Sequence, residues 1–154
     1  MKHMHFLRTL PLMLLLLLVC TGCARPDGLA KWAQSLKAED VTAAYIWCYS
    51  SKEPERGGEL SLTKEQIEAV VAQINTITED QLTWNKELAG ITPEYGLRLI
   101  CGEKEYNINH ADAPGGGLEM HWKNAQWWIE NPALQELLID LSEWPGYPEY
   151  SSAG

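Results

Sequence analysis

Hydrophobic residues recur with helical spacing in three stretches of this chain, and shorter alternating patterns lie between them. Within each stretch the apolar residues are three or four positions apart, which is the spacing of one buried face of an α-helix. Pro145 follows the last stretch and is expected to end it. The apolar positions are Leu29, Trp32, Ala33 and Leu36, then Ile67, Val70, Val71, Ile74 and Ile77, and finally Leu134, Leu137, Leu138 and Leu141.

Residues that cap helix N-termini stand at the start of all three stretches. Asp27 can cap the first helix, and Thr63 with Gln66 three positions later forms a capping box for the second. Asn131 can cap the third helix, with Pro132 at the first helical position, where a missing N–H is tolerated. The sequence therefore predicts three helices with defined starting points.

The segment from Val41 to Tyr49 has a period of two and predicts a strand. Because both of its faces are apolar, we expect it to be covered on both sides or central in its sheet. The polar segment from Ser51 to Glu59, with one Pro and two Gly, predicts an exposed loop. The alternating residues of the strand are Tyr45, Trp47 and Tyr49 on one face and Ala44, Ile46 and Cys48 on the other.

Five more short runs with strand character follow the second helix, and turn residues such as Gly102 and Asn124 separate some of them. Consecutive short strands with turns between them favour an antiparallel meander. The order of elements predicts an α+β domain, with a mostly antiparallel sheet of four to six strands packed against two or three helices. The runs are Gln81 to Lys86, Leu97 to Cys101, Glu105 to His110, Leu118 to Trp122 and Gln126 to Ile129.

The N-terminal segment has the three zones of a secretory signal in the required order. Lys2 and Arg8 supply positive charge, and an apolar run of 11 residues from Leu10 to Cys20 follows. An α-helix needs roughly 20 residues to cross a bilayer, so this run favours a cleaved signal over a retained membrane span. Thr21 and Gly22 then supply the small residues of a cleavage site.

The run Cys20-Thr21-Gly22-Cys23 resembles the lipobox of bacterial lipoproteins, in which Leu usually stands in the place of Cys20. The resemblance covers residues 1–23 only. It implies that Cys23 carries a covalent diacylglycerol lipid and that the protein is held on the extracytoplasmic face of the cell membrane. We expect no other cofactor. Two or more acyl chains are enough for stable anchoring. Modification of Cys20, an ordinary secretory leader and a retained hydrophobic anchor are the alternatives.

These features divide the chain into four segments. We expect a signal peptide over residues 1–22, a short tether over residues 23–28, a single domain over residues 29–144 and an irregular tail over residues 145–154. At about 3.3 to 3.6 Å per residue, the fully extended tether reaches less than roughly 20 Å. The domain is therefore expected to act close to the membrane surface.

The charge of the exported part excludes one class of partner. Lys2 and Arg8 are the only charged residues before Cys23, so removal of the leader reduces the 12 basic residues to 10, against 21 acidic residues, for a net charge of −11. Such a chain repels phosphate groups, so we expect no nucleic-acid partner. A protein or another envelope component is the expected partner, although an acidic surface can also serve solubility alone.

Two cysteines, Cys48 and Cys101, lie on separate predicted strands of the exported domain. In an oxidising compartment they are candidates for a structural disulfide, provided that their Cα atoms come within about 7 Å. The alternative is two buried thiols that act as small hydrophobic residues. Neither cysteine lies in a catalytic signature or beside a basic neighbour that would activate it.

His110, Asp112 and His121 are weak candidates for a metal site, because imidazole and carboxylate groups are good zinc ligands. If Ile108 pairs with Trp122, however, His110 and His121 point to opposite faces of the sheet. The register that follows the apolar face therefore argues against a metal centre.

Tryptophans are concentrated in the C-terminal third, and Trp122, Trp127 and Trp128 are candidate binding aromatics. Trp127 and Trp128 are adjacent on a predicted strand, so they must face opposite sides of the sheet. One of the pair is expected in the core. The other is either covered as well or exposed, where an indole can stack on a sugar or a peptide side chain.

Two classes of function remain open at this point. The first is a non-catalytic surface lipoprotein that serves as a binding or accessory module of the cell envelope. The second is a small envelope hydrolase or metal-dependent enzyme that uses Cys48, His110, Asp112 or His121. An enzyme needs several of these polar groups to converge in one concave site, whereas a binding module needs only an exposed patch.

Overall fold

The computed structural model of the protein describes residues 26–48, 58–85, 95–111 and 117–142. The predicted signal peptide, Cys23, the tail and Asp112 lie outside the described residues. None of the described helices is long and apolar enough to cross a membrane. The elements are α1 (Pro26–Ser35), β1 (Ala43–Cys48), β2 (Gly58–Ser61), α2 (Lys64–Ile74), β3 (Leu82–Asn85), β4 (Tyr95–Cys101), β5 (Lys104–His110), β6 (Leu118–Trp122), β7 (Ala125–Ile129) and α3 (Pro132–Ser142), with single 3-10 turns at Ala38–Asp40 and Glu79–Gln81.

All seven strands form one antiparallel sheet in the order β2-β1-β4-β5-β6-β7-β3. Four of the five strands in the predicted meander are confirmed, since each strand from β4 to β7 pairs with the next along the chain. The first of the five, β3, does not pair with β4. β1 pairs with β4 on one side of this meander, and β3 pairs with β7 on the other. The predicted α+β class is confirmed, with one strand more than the expected maximum of six.

The additional strand is β2, which occupies the end of the predicted loop from Ser51 to Glu59. Its sequence, Gly-Glu-Leu-Ser, has no alternating apolar pattern, and three of its four residues are exposed. Pairing of its backbone with β1 holds it at the edge of the sheet. An edge strand of this kind satisfies backbone hydrogen bonds without contributing to the core, so hydrophobic periodicity does not reveal it.

The three helices cover one face of the sheet, which we call the helix-bearing face. Asn75 of the turn after α2 donates hydrogen bonds to the carbonyl oxygens of Ala33, at 2.6 Å, and Leu36, at 3.0 Å, and so satisfies the C-terminal end of α1. Trp32 of α1 packs on Tyr106 and Trp122, with ring centroids 4.7 and 5.3 Å away. The core between helices and sheet includes Leu29, Ala33, Ala44, Ile46, Val70, Ile74, Leu97, Leu99, Ile108, Leu118, Met120, Trp127, Ile129, Leu134 and Leu138.

The first helix begins earlier than expected. α1 starts at Pro26, within the predicted tether of residues 23–28, so Asp27 lies in the first helical turn rather than at the cap position. Proline suits the first helical position because its fixed φ is compatible with the helix and its missing N–H needs no partner there. The helix therefore starts three positions after Cys23 in the sequence.

The predicted caps of the other two helices are confirmed. The Gln66 backbone N–H donates to the Thr63 hydroxyl at 3.3 Å, and the Thr63 N–H donates to the Gln66 side chain at 2.8 Å. The Asn131 side-chain oxygen accepts from the Leu134 N–H at 2.9 Å. α2 ends at Ile74, so Ile77 lies beyond the helix even though it is fully buried.

Candidate functional site

The second face of the sheet, which we call the open face, is where polar and aromatic side chains gather. Its side chains alternate with the core residues along each strand and are half-buried or exposed, apart from Gly96 and Asn85. Of the two alternatives expected for β1, coverage on both faces is wrong, because its Tyr45 and Trp47 are only half-buried. β1 is instead an interior strand, paired with β2 and β4. The central residues of the open face are Tyr45, Trp47, Gly96, Arg98, Asn107, Asn109, Glu119, His121, Gln126 and Trp128.

Trp47 lies over the backbone of the neighbouring strand. It pairs with Gly96 of β4, and a Cβ atom added to Gly96 would lie 2.6 to 2.7 Å from three atoms of the indole ring. Any residue other than glycine would therefore displace the ring. Glycine inside a strand often marks a position that another group approaches closely, and here that group is the indole.

Arg98 and its partners form the second feature of the open face. The guanidinium carbon lies 4.9 Å from the centre of the Tyr45 ring, within the range of a cation–π interaction. The same guanidinium forms an ion pair with Glu59 on the edge strand β2. Arg98 thus connects three strands. Its charge is already matched by a carboxylate and an aromatic ring.

Glu119 occupies the same face on β6. It accepts a hydrogen bond from the Gln126 side-chain amide of β7. Burial raises the pKa of the Glu119 carboxyl above its ordinary value, while the hydrogen bond from Gln126 and the nearby His110 act in the opposite direction. The carboxyl is therefore held in a partly dehydrated position, with one of its oxygens fixed by a neighbour.

Two asparagines fill the middle of the open face on β5. Asn107 is exposed and donates a hydrogen bond to Glu105 at 2.9 Å. Asn109 is half-buried and pairs with Gly96 on one side and with Glu119 on the other. His121 is exposed at one end of this region. The surface therefore offers amide donors and acceptors beside an indole ring.

The three candidate binding tryptophans have different positions. Trp127 is in the core and 4% exposed, whereas Trp128 is half-buried on the open face, as expected for neighbours on one strand. Trp122 lies on the helix-bearing face and packs against Trp32 and Tyr106. Only Trp128 of the three therefore belongs to the open face.

The predicted disulfide between Cys48 and Cys101 is wrong, because the two thiols are not bonded to each other. Both cysteines are on neighbouring strands, but Cys48 pairs with Tyr95 and Cys101 lies six residues further along β4. At about 3.3 Å per residue this separates them by roughly 20 Å, far beyond the span of a disulfide. Burial, and secondarily the charge of Asp40, raises the pKa of the half-buried Cys101 thiol, which disfavours its reactive thiolate form.

The predicted hairpin register is also wrong, by two residues. Ile108 pairs with Met120 rather than with Trp122, and His110 pairs with Leu118. A shift of two residues keeps every side chain on its own face, because the side-chain period of a strand is two. His110 consequently lies on the helix-bearing face and His121 on the open face, and the described residues include no cluster that could hold a metal.

Cys48 and His110 do share one face and one row of the sheet, with Tyr95 between them. The Tyr95 and His110 rings stack at 4.8 Å with an interplanar angle of 19°. Two strand spacings of about 4.8 Å place Cys48 and His110 about 10 Å apart, too far for a thiol–imidazole hydrogen bond. The residues that the catalytic alternative requires are therefore not brought together in the described part of the chain.

Among the described residues, two of the clefts lie away from the open face. One, of about 820 Å³, lies between the first 3-10 turn and α2 and is lined by Lys37, Val41, Lys64 and Ile67 among others. The other, of about 460 Å³, includes Trp32 and Cys101. The lysines of the larger cleft have local partners, since Lys37 pairs with Glu39 and Lys64 with Glu68. The larger cleft has no aromatic residue among the described residues of its lining, whereas the smaller has Trp32 and Tyr106 beside the charged groups of Glu103 and Lys104.

Trp47, Gly96 and Arg98 were not singled out by the sequence, although they dominate the open face. Trp47 was expected only as part of an apolar strand, and the meaning of Gly96 depends on its pairing with β1. The alternation of Tyr45 and Trp47 with aliphatic residues was the available signal. No protein-family model, curated protein or solved structure matches this chain.

Proposed function

We propose that this protein is a lipid-anchored, non-catalytic binding module of the bacterial cell envelope, which contacts its partner through the open face. The observation that carries the proposal is the placement of Trp47 over Gly96, in a row that continues with Asn109 and Glu119 on the next two strands. An accessible ring next to groups that form directed hydrogen bonds is the composition of a recognition surface.

The anchoring half of the proposal rests on the lipobox-like run that ends at Cys23. The start of α1 at Pro26 supports a position close to the membrane, because only Ala24 and Arg25 separate that helix from the lipidated residue. A receptor that searches for distant partners needs a long flexible linker, and the sequence has no such segment here. The partner is therefore an envelope component near the membrane surface.

The anchor is tested by fractionation of cells that express Cys23→Ala. We expect the variant to leave the membrane fraction or to accumulate as an uncleaved precursor, because the small residues before Cys23 define the cleavage site. Cys20→Ala is the matched control and should be processed normally. Normal processing and full membrane retention of Cys23→Ala would contradict lipid anchoring at Cys23. If only Cys20→Ala left the membrane fraction or accumulated as a precursor, Cys20 would be the lipidated residue.

The binding half is tested by co-sedimentation of the detergent-solubilised full-length mature protein with isolated cell envelopes. We expect Trp47→Ala to reduce the bound fraction, because it removes the ring from the open face. Trp84→Ala is the control, since Trp84 is 56% exposed on the edge strand β3 and pairs with Trp127 of the other face. Equal sedimentation of the two folded variants would contradict use of the open face.

A further inference from the structure

We propose that the open face binds an uncharged glycan chain along the row of residues from Trp47 to Trp128. This inference rests on the proposed function, because it names the ligand class of the same face. The row crosses five adjacent strands through Trp47, Gly96, Asn109, Glu119 and Trp128, as their pairing register establishes.

The dimensions of the row fit an extended polymer better than a small molecule. Trp47 and Trp128 are four strand spacings apart, which at about 4.8 Å per spacing is about 19 Å. This length separates the backbone positions of the two tryptophans. Because the Trp47 ring lies over Gly96, the side chains between the two indoles are those of Asn109 and Glu119. Both are half-buried, so the row presents no large protruding group there. A chain of several linked rings can lie along it and contact both indoles.

The stacking surface at Trp47 is fixed before any ligand arrives. Because the ring rests on the Gly96 backbone, its orientation does not depend on a ligand. One face of a pyranose ring presents C–H groups that pack on an indole, while the hydroxyl groups at the ring edge need hydrogen-bond partners. Asn109 and Glu119, the next side chains along the row, supply an amide and a carboxyl for those hydroxyls.

The ion pairs of the open face argue against an anionic ligand. Arg98 is the one arginine or lysine among the described residues of this face, and it is already bound to Glu59 and stacked on Tyr45. An anionic ligand would have to displace that carboxylate. Glu105 and Glu119 would also repel it, so phosphate-rich and carboxylate-rich chains are disfavoured.

The carboxylates of the open face lie on three different strands, which argues against a cationic peptide. Glu59 pairs with Arg98, Glu105 accepts from Asn107, and Glu119 accepts from Gln126. Of the three, only Glu119 lies between the two indoles of the row, so a cationic chain would meet a single carboxylate there. An uncharged ligand needs no charged partner on this face. It can bind by ring stacking on the indoles and by hydrogen bonds to the neighbouring polar groups.

The test is calorimetric titration of the detergent-solubilised mature protein with three probes: a β-1,4-linked tetramer of N-acetylglucosamine, a β-1,4-linked tetramer of glucose and a tetralysine peptide. We expect at least one neutral tetramer to bind and tetralysine not to bind. Trp47→Ala and Trp128→Ala should each weaken binding of that tetramer roughly tenfold or more, through loss of stacking. Trp84→Ala should leave the affinity unchanged.

Asn109→Ala is the second variant in case removal of an indole unfolds the domain, and it should also weaken binding of the tetramer. The proposal is overturned if neither neutral tetramer binds at millimolar concentration, or if binding is the same in Trp47→Ala, Trp128→Ala and Trp84→Ala. Binding of tetralysine alone would overturn the glycan assignment. If sedimentation with envelopes still depended on Trp47 in those cases, the open face would still be the binding surface, and only the assignment of a glycan as its ligand would be wrong.

Discussion

The indole ring of Trp47 lies over the backbone of Gly96, so close that a Cβ atom at Gly96 would come within 2.7 Å of three ring atoms. Glycine inside a strand weakens the strand intrinsically, because it loses more backbone entropy on folding and contributes no side-chain packing. The ring restores that packing from the neighbouring strand. The pair is thus both a structural contact of β1 with β4 and the base of the proposed binding surface.

The first prediction is that Gly96→Ala destabilises the domain and displaces the ring. A contact below 3 Å forces a shift of the indole or of the backbone, and overpacking of this kind costs about 1–3 kcal/mol. Thermal unfolding followed by circular dichroism measures the loss. Gly28→Ala is the control, because its Cβ would lie 3.6 Å from Trp122 and alanine is favoured over glycine in a helix. A Gly96→Ala variant as stable as Gly28→Ala would show that the ring is not seated there.

The second prediction compares two helix caps. Asn131 is 4% exposed, accepts from the Leu134 N–H and donates to the Thr76 hydroxyl at 2.9 Å. Asn131→Ala removes both bonds and leaves a buried N–H without a partner, so we expect a loss of about 2 kcal/mol or more. The exposed cap Thr63→Ala should lose only about 1 kcal/mol. Chemical denaturation of both variants measures the difference, and equal losses would contradict the buried role of Asn131.

Capping and periodicity made much of this fold predictable. The caps and apolar stripes of the helices depend on residues within a few positions of each other, and α2 and α3 start at the residues that these local patterns predict. The strands of the meander were also found, to within one or two residues at each end, because turn residues separate them. The early start of α1 is not evident from the sequence, because Asp27 is a typical N-cap residue while Pro26 is equally suited to the first helical position.

The candidate site was much less predictable, because it depends on pairing between distant strands. The relation of Trp47 to Gly96 arises only when β1 pairs with β4, almost 50 residues away. The same pairing places Cys48 and Cys101 at opposite ends of two neighbouring strands, which excludes the disulfide that their presence suggested. The types of these residues alone do not show which strands pair or in which register.

The third prediction concerns the buried stripe of α2. Val71 is 4% exposed and packs in the core, so Val71→Asp places a carboxylate where it has neither water nor a partner. Such a substitution costs about 3–5 kcal/mol or more and should unfold a domain of this size. Ala72→Asp is the matched control, because Ala72 is the next residue of the same helix and is exposed. A cooperative melt near the wild-type Tm for Val71→Asp would mean that the helix buries a different face.

The last prediction is a pH dependence that originates at Glu119. Burial raises the pKa of this carboxyl in the folded protein above its ordinary value. As the pH rises, the unfolded chain therefore loses the Glu119 proton before the folded domain does. The protonated Glu119 stabilises the fold at low pH, and this stabilisation decreases between the pKa of the unfolded chain and the higher pKa of the folded domain. Glu119→Gln cannot titrate, yet its amide oxygen can still accept from Gln126. The Tm of Glu119→Gln relative to wild type should therefore rise between about pH 3 and about pH 7, a range that includes the ordinary glutamate pKa.

The control is Glu105→Gln, because Glu105 is exposed on the same face and its substitution also removes one negative charge. A difference in Tm that is constant with pH, or that matches the Glu105→Gln profile, would show that Glu119 is not held in the partly dehydrated position that the open face gives it.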